Sequence, residues 1–280
     1  EKPRVTVRNG KIFLLVCGMF RGMGRDTDGF KRDFGFEPSG VDVMILSHAH
    51  IDHSGLIPKL VKDGFAGKIF CTSATRELTK ILLEDSGEIQ QSDVQFSNKR
   101  RLAEGQPLLQ PLYTIEDARR SFDCFAELQY GAWQKVIEGV EAMVTDAGHI
   151  IGSGCVHLKI TENGRVRRLT FSGDGGRYRD IILRSPENFP QADFILLEST
   201  YGNSLHEDAV TTPDHLLQWI SKACLEKKGK LIMPAFSVGR TQEILFSLNQ
   251  LELENRLPKL DYFLDSPLSL EATELVKSYP

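Results

Sequence analysis

Apolar residues recur along this chain in short runs, each followed by a turn and then by a segment of helical period. The runs over 11–16, 43–46, 68–71, 141–145, 156–160, 168–171, 194–197 and 231–233 read as strands. Several are almost unbroken Val, Ile, Leu, Met and Phe, the pattern of a sheet covered on both faces. Helical spacing predicts helices over 54–62, 75–84, 114–125, 215–225, 240–251 and 268–277. Thr114 suits the N-cap of the third, with Glu116 and Asp117 in the first turn, where the helix dipole favours anions. The alternation specifies a layered α/β protein. The stretch 90–111 is polar and without a clear period, so it reads as a surface excursion. Turn residues at Tyr201-Gly202-Asn203, then the polar His206, Glu207 and Asp208, mark a domain boundary, dividing the chain into 1–207 and 208–280. Beyond it helix and strand alternate through 215–225, 231–233, 240–251, 262–264 and 268–277. That order is Rossmann-like but carries no Gly-x-Gly-x-x-Gly, so no dinucleotide site is indicated.

Composition narrows the class. At 280 residues, 41% hydrophobic and 26% charged, the chain is globular, with one large domain or two modest ones. No apolar run approaches the roughly 20 residues that span a bilayer, and residues 1–7 lack the apolar stretch of a secretory signal. The expected location is the cytoplasm, with no membrane partner. Five cysteines, Cys17, Cys71, Cys124, Cys155 and Cys224, lie far apart without a Cys-x-x-Cys pair. They argue against a disulfide framework or a thiolate zinc finger, and read as small buried side chains. A net charge of −4 does not suit a protein that coats duplex nucleic acid. Asn98-Lys99-Arg100-Arg101 and Arg165-Val166-Arg167-Arg168 could line a local positive groove, but short basic runs are first of all solvated surface.

The chemistry concentrates at strand ends. The apolar run 43–46 leads into Ser47-His48-Ala49-His50-Ile51-Asp52-His53. In extended chain His48 and His50, two apart, point the same way, while Asp52 and His53 sit where the chain turns into a helix and reach a second point. Imidazole and carboxylate ligands suit zinc, and also manganese or iron. So many ligand atoms in so short a run exceed what one tetrahedral ion takes, and two ions are the natural solution. Two further strands end in glycine-rich turns that carry His149 (Asp146-Ala147-Gly148-His149) and Asp174 (Ser172-Gly173-Asp174-Gly175-Gly176). A carboxylate such as Asp174 can bridge two cations. His157, His206 and His215 read instead as packed, surface or capping residues.

These residues resemble the metallo-β-lactamase superfamily, whose His-x-His-x-Asp-His signature reads here as His48, His50, Asp52 and His53. The resemblance implies an αββα sandwich with two Zn2+ at one edge. His48, His50 and His149 would hold the first ion, Asp52 and His53 the second, and Asp174 would bridge. Leu196-Leu197-Glu198-Ser199-Thr200-Tyr201-Gly202 is similar to the first motif of the β-CASP nucleases, a branch that includes the mRNA 3′-end cleavage endonuclease and its prokaryotic relatives. Pro234-Ala235-Phe236-Ser237-Val238-Gly239-Arg240, Asp265-Ser266-Pro267-Leu268 and Gly18-Met19-Phe20-Arg21-Gly22 resemble further segments of that branch. By this likeness an α/β β-CASP domain is inserted in the lactamase domain and begins at about 208. Its remaining motifs, a general-acid histidine and the last ligand of the second metal, would lie beyond Pro280, so the chain is expected to be incomplete. Val16 stands where the family has Asp before Cys-Gly, and a looser metal-binding loop is expected from that change.

The function that follows is a metal-dependent ribonuclease, in which a hydroxide held by two zinc ions attacks a phosphodiester of single-stranded RNA. Asp52 would take a proton from the water, and Glu198 would orient the general acid. Arg240 and Ser237 are candidate RNA contacts, although Arg240 can equally pair with Glu243 on its own helix. Glu-Ser-Thr-Tyr-Gly favours RNA, because DNA-repair members carry Asp-Thr-Thr-Tyr there. The competing readings are a DNA nuclease of the same branch, a thioesterase- or lactonase-type hydrolase, and a non-catalytic RNA-processing scaffold. A homodimer is compatible with all of them.

Overall fold

A computed structural model describes residues 5–8, 10–19, 32–204 and 212–279. The chain divides into two compact units, the first Glu1–Gly176 with Pro186–Glu198, the second Arg177–Ser185 with Ser199–Pro280. The boundary expected after 207 falls outside the described residues, as do His206 and Phe20-Arg21-Gly22.

The first unit holds two five-stranded sheets. In one, β1 (Val5–Arg8) and β2 (Lys11–Leu14) form an antiparallel pair. Strands β3 (Val43–Ile45), β4 (Lys68–Cys71) and β5 (Phe125–Glu127) then add in parallel. In the other, β6 (Gln134–Ile137), β7 (Val140–Asp146), β8 (Gly154–Glu162) and β9 (Arg165–Phe171) run antiparallel, and β10 (Phe194–Leu196) joins β9 in parallel. Side chains alternate across each strand. Phe13, Val43 and Ile45 therefore meet Val144, Val156, Leu158 and Phe171 between the sheets. Leu14, Met44 and Ile69 on the opposite face pack under Leu56, Leu60, Leu83 and Ala118 from the helices. The described residues of this unit thus show helix, sheet and sheet layers of the expected sandwich.

The covering helices are α1 (Ile51–Ser54), α2 (Ile57–Lys62), α3 (Ser73–Ala103) and α4 (Ile115–Ser121). One helix was expected over 54–62; it breaks because the Leu56 N–H leaves the ladder to donate to Cys17 O at 2.8 Å. The expected excursion over 90–111 is corrected more substantially, since α3 continues to Ala103. Polar contacts hold its second half: Ile115 N–H donates to Gln91 Oε1 (2.9 Å), and the Asn98 amide bonds both N–H and C=O of Leu109 (2.8 and 3.0 Å). Such packing leaves no apolar period to read. Thr114 and Asp117 form the capping box that starts α4, each side chain accepting from the other's N–H.

The second unit contains α5 (Thr212–Ile220), continued by a π-helical turn Ser221–Glu226, α6 (Arg240–Leu253) and α7 (Pro267–Lys277). The strands expected at 231–233 and 262–264 do not form; Ile232 and Phe263 are largely exposed and unpaired in any sheet among the described residues. All five thiols are free, with Cys17, Cys71 and Cys155 buried. Among the described residues no helix is long and apolar enough to cross a membrane.

Candidate metal centre

Strand β3 ends at Ile45, and the chain passes through buried Ser47 and His48 before α1 opens at Ile51. The fold of this loop depends on its neighbour, residues 17–19. Cys17 N–H donates to His53 O and Met19 N–H to Ile51 O, both at 2.8 Å. Gly18 lies between them so close to the loop that a Cβ there would stand 1.4 Å from Asp52 O. Only glycine admits that approach. Val16 is fully buried in the core between the sheets. Main-chain hydrogen bonds from residues 17 and 19 hold the loop, and the Val16 side chain packs in the core instead of supporting it.

Two other strand ends complete the cluster. His149 follows β7 in a turn in which Ser153 Oγ accepts from the N–H groups of His149 (3.1 Å) and Ile150 (3.3 Å). Asp174 follows β9 and stands at the centre. Its Oδ1 lies 3.1 Å from His53 Nε2, and its Oδ2 lies 3.8 Å from His48 Nε2 and 3.7 Å from His149 Nε2. His149 Nε2 is 3.1 Å from His50 Nδ1. Two groups of ligand atoms result, each within 4.8 Å: His48, His50, His149 and Asp174, and Asp52, His53 and Asp174. All six residues singled out as ligands in the sequence are thus brought together, with Asp174 common to both groups.

The protonation states favour a cation. Burial first, and then the neighbouring imidazoles, hold His48 well below its ordinary value. The same causes, burial and then His149, bring His50 to about 4, and burial lowers His149. Burial alone would raise the Asp174 carboxyl, but the surrounding imidazoles, the His53 hydrogen bond foremost, outweigh it and hold the group below its usual range. Lowered His48, His50 and His149 beside an ionised Asp174 match the states that metal ligation requires. Most telling is His48 Nε2, which is buried and has no hydrogen-bond partner among the described residues. Its other nitrogen meets Ser47 Oγ at 3.1 Å, which fixes the ring. A buried nitrogen aimed at a carboxylate beyond hydrogen-bonding distance is costly unless a ligand fills the gap.

Glu198, at the end of β10, lies beside this cluster. Its Oε1 accepts from Gly175 N–H at 3.4 Å, and its own N–H donates to Ser172 Oγ at 3.0 Å. A cleft lined by His53, Phe171, Gly173, Asp174, Leu196, Leu197 and Glu198 opens there. The candidate RNA contacts Arg240 and Ser237 belong to the second unit. Arg240 pairs with Glu243 (2.6 Å), a carboxylate that also takes Arg177 (2.7 Å). Ser237 Oγ lies 3.5 Å from Ser266 Oγ, the residue that caps α7. His157 is packed between Thr145 Oγ1 (2.8 Å) and Thr170 Oγ1 (2.9 Å), and His215 is exposed. Sequence reasoning missed Ser47, Ser153 and Ser172, because a serine that orients a ligand carries no local signal.

Comparison with known proteins agrees with this architecture. The chain is 33% identical over 271 residues to a protein named Ribonuclease TTHA0252 from Thermus thermophilus, covering 97% of this chain and 56% of that one. It is 28% identical over 248 residues to Transcription termination factor FttA of Methanosarcina mazei, covering 88% and 36%. To Endoribonuclease YSH1 of Candida glabrata it is 32% identical over 246 residues, covering 86% and 30%. The chain therefore spans about half the length of the first relative and about a third of the others. The pattern of the Metallo-beta-lactamase superfamily matches residues 7–210, which hold all six clustered histidines and aspartates. On that match and this arrangement of strand ends, the chain belongs to the metallo-beta-lactamase superfamily.

Proposed function

We propose that this chain carries the active site of a metal-dependent ribonuclease that cleaves phosphodiester bonds of single-stranded RNA in the cytoplasm. The observation that carries the reading is the pair of ligand groups sharing Asp174, with the unpartnered His48 Nε2 turned into them. His48, His50 and His149 would hold one divalent cation, Asp52 and His53 a second, and Asp174 would serve both. Zinc fits this nitrogen and oxygen donor set, as manganese or iron also would. Such a pair supplies Lewis acidity toward a phosphoryl oxygen and a hydroxide nucleophile at neutral pH.

The protein's own groups do the rest. Ser47 fixes the ring of His48, and Ser153 fixes the backbone of His149, so part of the donor set is positioned before a cation binds. The Asp52 carboxylate takes the proton released as water attacks. Glu198 stands at the cleft, tied to the Asp174 turn through Gly175 N–H, where it orients a proton donor toward the leaving oxygen. The names of the relatives, a ribonuclease and an endoribonuclease, support RNA as the substrate. So does the Glu198-Ser-Thr-Tyr-Gly segment, by its likeness to the RNA-processing branch of β-CASP nucleases. On this reading 1–207 form the lactamase domain, and 208–280 the first part of the β-CASP domain.

The test joins metal analysis to cleavage of a labelled single-stranded RNA by wild type and His50→Ala. Bound metal and RNA cleavage are expected in the wild type, with both lost in the variant. Undiminished cleavage by His50→Ala, or a metal-free wild type that cleaves, refutes the mechanism. Turnover of esters or lactones alone refutes the nuclease.

A further inference from the structure

The loop that carries His149 is fastened to the rest of the first unit at Gly152, outside the cluster. The carbonyl oxygen of Gly152 accepts two hydroxyl hydrogen bonds, from Thr72 Oγ1 and from Thr75 Oγ1, both at 2.7 Å. Both threonines are buried, Thr75 completely. Thr72 is also the N-cap of α3, its Oγ1 accepting from Thr75 N–H at 3.2 Å. With a lone pair taken by that N–H, the Thr72 hydroxyl proton is directed at Gly152 O. The approach is close enough to demand glycine: Gly152 has φ +78°, and a Cβ there would lie 2.4 Å from Thr75 N.

What happens at Gly152 is passed on by the next residue. Ser153 N–H donates to Ile150 O at 3.0 Å, and Ser153 Oγ receives the N–H groups of His149 and Ile150. Tyr130 OH holds Ser153 O at 2.8 Å from the other side. The backbone of His149 is thus set by Ser153, and Ser153 follows the carbonyl that the two threonines grip.

We propose that Thr72 and Thr75 are positioning residues for the metal centre, a double hydroxyl latch on the Gly152 carbonyl that sets where His149 stands relative to His50 and Asp174. Neither threonine belongs to the ligand groups, and both act only through the loop. A 31-residue helix anchors the latch, so the loop is referred to a rigid element. The proposal rests on reading the cluster as a metal site.

Thr75→Val tests it, since the side chain keeps its shape and loses only the hydroxyl. Wild type, Thr75→Val and Thr75→Ser are titrated with Co2+ alone, following affinity by calorimetry and ligand geometry by the visible absorption band. Thr75→Val is expected to bind Co2+ roughly tenfold more weakly, the scale typical for groups that orient ligands, with a changed band. Thr75→Ser restores wild-type values. If valine does not give a folded chain by circular dichroism, Thr75→Ala supplies the same comparison. A valine or alanine variant that is less stable but shows wild-type Co2+ affinity and spectrum overturns the latch while leaving the metal site standing. A wild type that takes up no Co2+ overturns both together.

Discussion

Replacing Gly18 by alanine probes the contact on which the ligand loop is built. The added methyl would sit 1.4 Å from Asp52 O and 2.1 Å from Asp52 C, where ordinary contact begins at 3.4 Å. One of the two segments must therefore move by about 2 Å. Three hydrogen bonds of 2.8 Å join residues 17–19 to 51–56: Cys17 N to His53 O, Met19 N to Ile51 O, and Leu56 N to Cys17 O. A shift of that size breaks at least two of them. Each contributes about 1 kcal/mol net, and a buried amide left without a partner costs about 1–3 kcal/mol more. The expected destabilisation is about 3–5 kcal/mol, a large part of the roughly 5–15 kcal/mol that holds a typical domain. In urea the unfolding midpoint of Gly18→Ala should fall by on the order of 1–2 M. Because Asp52 and His53 lie on the displaced segment, Co2+ binding should weaken in the same variant even under conditions where it is folded. A Gly18→Ala protein with the wild-type midpoint and wild-type Co2+ affinity would refute the argument that close backbone approach shapes this site.

Other outcomes follow from single groups. His157 is held at about 4 by burial, below its ordinary 6.5, so its contribution to stability is complete above about pH 6.5 and is lost as pH falls toward 4; urea midpoints of wild type and His157→Gln should converge with acidification, and a gap that widens contradicts this assignment. Glu198→Gln should keep the full metal content and slow RNA cleavage by on the order of 10²-fold; metal lost in step with activity would place Glu198 among the ligands instead. Thr114→Ala removes one half of the capping box of α4 and should cost about 1 kcal/mol in urea unfolding without touching Co2+ affinity; a change in Co2+ binding would mean the helix is coupled to the site.

The chain announced its candidate ligands locally. His48, His50, Asp52 and His53 follow one apolar strand within six residues, and His149 and Asp174 each stand in a glycine turn after another. Residue type, spacing and strand ends are properties of short segments, so the six residues that cluster and the α/β class were legible without coordinates. The capping box at Thr114 and Asp117 was half legible, because the cap and the acidic first turn lie within one turn of helix. The second half of α3 was not, since Gln91 and Asn98 satisfy Ile115 and Leu109 through polar contacts that leave no apolar stripe. Strand β6, half exposed and polar at a sheet edge, was hidden for the same reason. Only the tertiary structure decided how close Asp174 stands to His48, His53 and His149, and that Arg177, 66 residues away, shares Glu243 with Arg240. It also decided that Thr72 and Thr75, some 77–80 residues away in sequence, grip the loop of His149 through Gly152. Such contacts depend on which strand ends meet across the sheets. Distance along the chain carries no trace of that until the core has packed.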